Sequence, residues 1–193
     1  MDALNRSSLV IRMPADVQAA LVEAQNTIRR KAGSDLVRWT PANELLLTLV
    51  SLGEISPSQI AQVSASVGSI IGRYPAPHVV LETLGGSPNN LQPRFLWIGL
   101  AGDVAPLQQL TAELDRVAGS IVYGHEGRPL QAHVPIGRIK QESESNRSAL
   151  GRAVRVAGVG SVGAFQATSV ELIRAAATTA GPTILTVQTF PFA

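Results

Sequence analysis

Two short apolar runs contain the residues of this chain that could do chemistry together. They are LLLTLVSLGE (Leu45–Glu54) and AHVPIGRI (Ala132–Ile139). Both are typical of buried β-strands. Side chains alternate between the two faces of a strand, so residues two apart share a face: Leu46 with Thr48, and His133 with Pro135. A histidine in such a place can give or take a proton near neutral pH, and a threonine hydroxyl can donate a hydrogen bond.

The rest of the chain alternates strands and helices that must position these two runs. Hydrophobic periodicity predicts helices from Asp16 to a stop at Gly33, from Ser56 with Pro57 at its first position, around Leu107, Leu110, Leu114 and Val117, and over Ser148–Val156. Further strands are predicted at Ser8–Met13, Leu36–Thr40, His78–Leu84 and Arg94–Leu100, with a final hairpin of SVELIRA and TILTVQTF around TTAGP. The stretches GGSPNNLQP and QESESNR are predicted loops. The predicted order is therefore βαββαβ followed by βαβαββ.

Composition restricts the class of protein. The chain has 193 residues, 45% hydrophobic and 16% charged, which is typical of an ordinary globular protein. No apolar run reaches the roughly 18 residues of a membrane span, and MDALNRSS lacks the pattern of a signal peptide. With no cysteine, disulfides and cysteine-based metal sites are excluded. We expect a cytoplasmic protein without membrane attachment. A net charge of +2 is too small to indicate a nucleic-acid surface by itself.

Three segments together resemble a known family. VRWTPANELLLTLVSLGE, PRFLWIGL and RPLQAHVPIGRI are similar to successive signatures of the 2H phosphoesterases, in particular the branch of 2′-5′ RNA ligases and RNA 2′,3′-cyclic phosphodiesterases. The resemblance covers essentially the whole chain. It implies an α+β, two-lobed fold in which antiparallel sheets with flanking helices surround a central cleft. We expect one domain over residues 1–193, with lobes of roughly 1–90 and 91–193.

The resemblance also implies a mechanism. The family has His-x-Thr-x twice, once per lobe, facing the shared cleft. One histidine acts as general base and the other as general acid on a 2′,3′-cyclic phosphate, while the threonine hydroxyls hold the phosphate. Each acid or base typically contributes 10²–10⁴-fold to the rate. Neither a metal nor another cofactor is implied.

The two motifs are incomplete in this chain. Leu46 stands where the family has histidine, with Thr48 in the threonine place, and His133 keeps the histidine place while Pro135 replaces threonine. No histidine precedes Pro77, so no shift of register restores the first one. Glu44 is the nearest ionisable residue that could replace it.

Other positions of the predicted cleft follow from the same comparison. Ser51 occupies a place where the family often has an aromatic residue for stacking a base, and Arg138 matches an arginine that the family places against phosphate. His133 and Arg138 lie five residues apart, so they share a face only if Pro135 or Gly137 creates a bulge. The resemblance thus gives Thr48 and His133 as residual catalytic residues, and Arg138, Thr48, His133 and Ser51 as ligand-binding residues.

Each of these residues also has a structural interpretation. A strand histidine is more often structural than catalytic, Arg138 could be a surface arginine, and Leu46 is most simply part of an apolar cleft floor. Trp39 and Trp97 suit packing better than base stacking. His78 and His125 lie outside the motifs, and we expect them at a strand start and in a loop.

Three functions remain open from the sequence. The first is a pseudoenzyme whose cleft binds a nucleotide, an RNA end or a cyclic oligonucleotide, with catalysis lost or impaired. The second is an active RNA 2′,3′-cyclic phosphodiesterase or 2′-5′ RNA ligase-like enzyme in which His133 works with a replacement partner. The third is a scaffold that binds a protein partner and no longer uses the cleft.

Overall fold

The computed structural model describes residues 6–32, 35–125, 127–178 and 181–193. Nine strands and four helices are present in this part of the chain. In order they are β1 (Arg6–Arg12), α1 (Ala15–Ala32), β2 (Val37–Trp39), β3 (Leu46–Glu54), α2 (Pro57–Ile71), β4 (His78–Ser87), β5 (Phe95–Gly102), α3 (Val104–Ile121), β6 (His133–Ile139), α4 (Glu144–Val156), β7 (Gly163–Gln166), β8 (Ser169–Thr178) and β9 (Gly181–Pro191). A short 3₁₀ helix, Ala42–Glu44, connects β2 to β3.

The strands form two antiparallel sheets. The first has four strands in the order β3-β1-β8-β9, and the second has five in the order β2-β6-β5-β4-β7. Each sheet therefore takes strands from both halves of the chain, so a boundary near residue 90 does not separate them. The predicted α+β class with antiparallel sheets and flanking helices is confirmed.

Helices cover one face of each sheet and leave the other face free. α2 and α3 pack on each other and against β9 and β3 of the first sheet, whereas α1 packs with α4 and contacts β6 and β7 of the second. Leu9, Leu21, Leu47, Ile98 and Leu114 are among the fully buried side chains of the resulting core. β3 lies alongside β6 where the sheets meet, so the two runs singled out in the sequence become neighbours.

The start of α2 shows how local sequence sets an element boundary. The Ser56 hydroxyl accepts from the backbone N–H of Gln59, and the Gln59 side chain accepts from the Ser56 backbone N–H. This reciprocal capping satisfies two backbone donors that the first helical turn leaves unpaired. With Pro57 at the first helical position, the predicted start is confirmed.

Two boundaries and one additional strand differ from the sequence prediction. α4 begins at Glu144, inside the predicted loop QESESNR, because the Ser143 hydroxyl caps it by accepting from Asn146. β4 continues through Gly85 and Gly86 to Ser87, where the missing side chains admit Trp97 and Pro93. β7, in the glycine-rich stretch before Ala167, was not predicted.

The closing hairpin is confirmed, since β8 pairs with β9 from Ser169↔Pro191 to Thr178↔Gly181. The predicted helix stop at Gly33 lies outside the described residues. No helix in the described part of the chain is long and apolar enough to cross a membrane.

Candidate functional site

A cavity of about 900 Å³ lies between the uncovered faces of the two sheets. β3 contributes Thr48 and Ser51 to its wall, β6 contributes His133 and Pro135, and the segment between α3 and β6 completes it. The structure thus brings together four of the six site residues identified in the sequence. Leu46 and Arg138 lie outside the lining.

Irregular pairing of β3 brings Thr48 and Ser51 to one face. Thr48 pairs with Val10 of β1, but Val50 already pairs with Leu9, so Leu49 is an extra residue in the ladder. Residues three apart on a regular strand face opposite sides, and the bulge corrects this. Both hydroxyl side chains are exposed and available to a ligand.

Leu46 lies on the same face as Thr48 but is almost fully buried, at 5% exposure. It packs with Val10 and Ile173, and with the partly buried Ile184, in a small apolar cluster separate from the main core. An apolar, buried side chain therefore occupies the position at which the resemblance implied a histidine. Glu44, the ionisable residue nearest to Leu46 in the sequence, ends the 3₁₀ helix and does not line the cavity.

His133 is half-buried against an aromatic ring. Its imidazole stacks on Trp97 of the neighbouring strand, with ring centroids 5.2 Å apart and planes 24° from parallel. No hydrogen bond joins its ring to another side chain in the part of the chain that the structure describes. Burial lowers the pKa of His133 below the usual value of 6.5, so the ring is neutral at pH 7.

The bulge expected in β6 is confirmed. Leu96 pairs with Gly137 and Trp97 with Pro135, which leaves Ile136 as the extra residue. Arg138 consequently shares the exposed face of His133 and Pro135. Its guanidinium lies over the Phe95 ring, 5.3 Å from the centroid, and 3.8 Å from a carboxylate oxygen of Glu142.

A second histidine lines the cavity and was not identified as a site residue from the sequence. His125 lies in a loop, as expected, but its Nε2 is 2.8 Å from Oδ1 of Asp115 on α3, and its side chain is only 4% exposed. Gly127 packs so closely on the same carboxylate that a Cβ there would come within 2.5 Å of Oδ2. Asp115 therefore fixes both the imidazole and the loop backbone. Ten residues separate Asp115 from His125, and no sequence pattern connects them.

The rim of the cavity has an exposed aromatic residue, Tyr123, in the same loop. Among the described residues, no group of three histidine, aspartate or glutamate side chains is arranged to hold a metal ion. The arrangement offers hydroxyls, a neutral imidazole and guanidinium groups, with Arg6 and Arg128 in the lining and Arg138 nearby. These are groups that suit an oxyanion such as phosphate.

Comparison with known proteins agrees with this architecture. An RNA 2′,3′-cyclic phosphodiesterase of Aeropyrum pernix is 29% identical over 136 residues, 70% of this chain and 75% of the relative. A protein of the same name from Aquifex aeolicus is 26% identical over 154 residues, 79% of this chain and 80% of that protein. The model of the LigT-like phosphoesterases matches residues 11–97. The chain is therefore similar in sequence to the LigT-like phosphoesterases over nearly half of its length.

Solved structures share the fold of this chain. A Thermus thermophilus protein superposes with a TM-score of 0.74 at 22% identity, covering 97% of each chain. E. coli LigT crystallised with 3′-AMP gives 0.73 at 19% identity, covering 98% of each chain. E. coli LigT has also been crystallised with ATP. The family match ends at residue 97, so it includes Leu46 and Thr48 but not His133.

Proposed function

We propose that this chain is a LigT-like phosphoesterase that binds the phosphate-bearing end of a nucleotide or RNA in its cleft, and that its turnover is lost or strongly impaired. The observation that carries the proposal is that Thr48 and His133 line one cavity, whereas the position of the first catalytic histidine holds the buried Leu46.

The binding half of the proposal rests on the donors that remain. Thr48 and Ser51 present hydroxyls, and the neutral His133 ring presents one N–H. Arg138 lies on the same face of the second sheet, outside the cavity lining, and adds a positive charge beside the cleft. A hydrogen bond to a charged group contributes roughly 1.5–3 kcal/mol, more than a neutral one. The nucleotides crystallised with E. coli LigT support the same ligand class.

The proposed loss of turnover rests on what a displacement reaction at phosphorus requires. One group must take a proton from the attacking oxygen, and another must give a proton to the leaving oxygen. The side chain of Leu46 can do neither, and Pro135 has no hydroxyl to hold a phosphate oxygen. Loss of one acid or base raises the barrier by roughly 3–5 kcal/mol, equivalent to 10²–10⁴ in rate.

The test measures binding and turnover on the same ligands. Calorimetric titration with 2′,3′-cyclic nucleotides and 3′-nucleotides should show binding by the parent, and weaker binding by His133→Ala and Thr48→Val. His78→Ala is the matched control, because His78 is exposed at the start of β4 and does not line the cavity. Hydrolysis should be roughly 10²–10⁴ slower than by the A. pernix relative, or absent.

Two results would overturn the proposal. Absence of binding to every nucleotide would leave a protein-binding scaffold as the better interpretation. Hydrolysis at the rate of the relative, lost in His133→Ala, would show that the site is complete. In that case His125→Asn tests whether the histidine held by Asp115 supplies the proton transfer that Leu46 cannot.

A further inference from the structure

Next to the cavity, the second sheet carries a row of directly paired residues across four strands. Arg38 of β2 pairs with Arg138 of β6, Arg138 pairs with Phe95 of β5, and Phe95 pairs with Ser87 of β4. Directly paired residues on neighbouring strands point to the same side of a sheet. This set, which we name the Arg38 row, therefore lies on the face that carries His133.

The Arg38 row has an excess of positive charge. Arg94 and Arg138 share a single carboxylate, with Glu142 oxygens 3.2 Å and 3.8 Å away. Arg38 is exposed and makes no ion pair or hydrogen bond through its side chain with any residue that the structure describes. Arg38 therefore adds a further positive charge beside Arg138, which already shares one carboxylate with the adjacent Arg94. Guanidinium groups are well suited to hydrogen-bonding phosphate oxygens.

The same row has an exposed aromatic ring. Phe95 is 43% exposed, although a phenylalanine in mid-sheet is normally covered. Arg138 lies over the ring and extends its flat surface. Aromatic rings beside cationic groups are how proteins commonly bind single-stranded nucleic acid, with bases stacked on the rings and phosphates on the cations.

The position of the row relative to the cavity defines what it could bind. His133 pairs with Gly99, and Phe95 lies four residues earlier on the same strand. At about 3.4 Å per residue, His133 and Phe95 lie roughly 14 Å apart along the sheet. Trp97 and Pro135, paired between them, form a continuous floor. A chain whose end occupies the cavity can reach the row with its next nucleotide.

We propose that the Arg38 row is a subsite for the neighbouring nucleotide of a single-stranded RNA whose end lies against Thr48 and His133. The inference rests on the proposed function and deepens it, because it makes the ligand an oligonucleotide rather than a free nucleotide. Phe95 receives the base, and Arg38 with Arg138 receives the phosphate that precedes it.

Chain-length dependence of binding tests this subsite. A 2′,3′-cyclic mononucleotide and a trinucleotide with the same cyclic end are titrated against the parent, Phe95→Leu and Arg38→Gln. The parent should bind the trinucleotide at least tenfold tighter. Phe95→Leu should weaken trinucleotide binding roughly 5- to 100-fold. Arg38→Gln should lower the slope of log affinity against log salt by about 0.7. Both variants should bind the mononucleotide like the parent.

Arg152→Gln removes an exposed arginine from α4, outside the row, and should change neither ligand. Thermal unfolding of each variant reports whether the sheet is intact. Equal affinity of the parent for mononucleotide and trinucleotide, or equal weakening of both ligands in Phe95→Leu, would overturn the subsite while leaving the cleft proposal intact. Failure of the parent to bind either ligand would instead refute the proposed function, and the subsite with it.

Discussion

His133 is held in its neutral form by partial burial, which lowers its pKa. Below about pH 6.5, partial burial disfavours protonation of His133 in the free protein, whereas a bound phosphate favours it. Affinity for a 2′,3′-cyclic nucleotide should therefore rise as pH falls, because the complex takes up a proton on His133 more readily than the free protein does. The cyclic phosphate keeps a single charge over this range, so the change reports the protein. Calorimetric titration between about pH 5 and pH 8 measures it.

The matched variant is His133→Gln, which keeps a hydrogen-bond donor but does not titrate. Its affinity should be independent of pH over this range. An equally steep pH profile in this variant would assign the titration to another group, and His125 beside Asp115 would be the first to examine.

Leu46 and Pro135 are the two positions at which this chain departs from the motif that the resemblance implies. Leu46→His together with Pro135→Thr should raise hydrolysis of 2′,3′-cyclic nucleotides by up to 10²–10⁴-fold over the parent. The new ring would replace an apolar side chain packed on Val10 and Ile173, which should destabilise the fold by about 1–3 kcal/mol. Steady-state hydrolysis and chemical denaturation measure the two effects.

Leu46→Ala with Pro135→Thr is the control, because it disturbs the same cluster without adding a proton carrier. If the histidine-containing protein stays folded but hydrolyses no faster than this control, then residue 46 does not face the ligand. The assigned role of Leu46 would then be wrong.

Local sequence predicts part of this site well. The two-residue spacing placed Thr48 and His133 on strand faces, and Pro135 with Gly137 in one run indicated the bulge that brings Arg138 to the same side. The bulge at Leu49 had no such signal, because the one glycine of that run, Gly53, lies four residues away. The contact of His125 with Asp115 depends on how the loop folds back on α3, which no spacing in the sequence encodes.

Gly85 on β4 leaves room for the ring of Trp97 on β5, and that ring positions His133. A Cβ at Gly85 would come within 2.1 Å of the Trp97 ring, which stacks on His133. Gly85→Ala should therefore displace the indole, destabilise the protein by roughly 1–3 kcal/mol, and weaken nucleotide binding. Denaturant titration and calorimetry measure these effects.

Gly160→Ala is the corresponding control, since nothing lies within 4 Å of a Cβ at that position. It should leave both stability and binding near parent values. Parent-like nucleotide binding by Gly85→Ala would show that the Trp97 stack does not position His133.

The elements themselves were predictable where periodicity was strong. α1, α2, α3 and the closing hairpin lie where hydrophobic patterns indicated. The start of α4 was missed because its first turn is polar and only the cap at Ser143 marks it. β7 was missed because a four-residue, glycine-containing strand has too little pattern, and its pairing with β4 stabilises it.

One cluster of polar side chains connects three strands of the first sheet. Arg12 of β1 donates to both oxygens of Glu171 on β8, and Thr186 of β9 donates to the same carboxylate. These hydrogen bonds, led by Arg12, lower the pKa of Glu171. Its stabilisation is therefore present above its unfolded pKa and is lost as pH falls through the lower, folded pKa.

Glu171→Gln should reduce the free energy of unfolding at pH 7 by about 1–3 kcal/mol, with a smaller further loss on acidification than in the parent. Denaturant titrations from pH 7 to about pH 3 test this. Glu23→Gln is the control, because Glu23 and Arg30 form a pair on the exposed face of α1 and such pairs add little. An acid profile as steep in Glu171→Gln as in the parent would contradict the assigned role.

The assembled cleft is proposed to hold a phosphate end without processing it, and phosphorus NMR examines both parts in one sample. A 2′,3′-cyclic nucleotide is mixed with an equal concentration of the protein and followed over hours. The predicted result is a broadened or shifted cyclic-phosphate signal that persists, with no ring-opened monoester appearing. Rapid conversion to a monoester would contradict the loss of catalysis, and an unchanged sharp signal would contradict binding in the cleft.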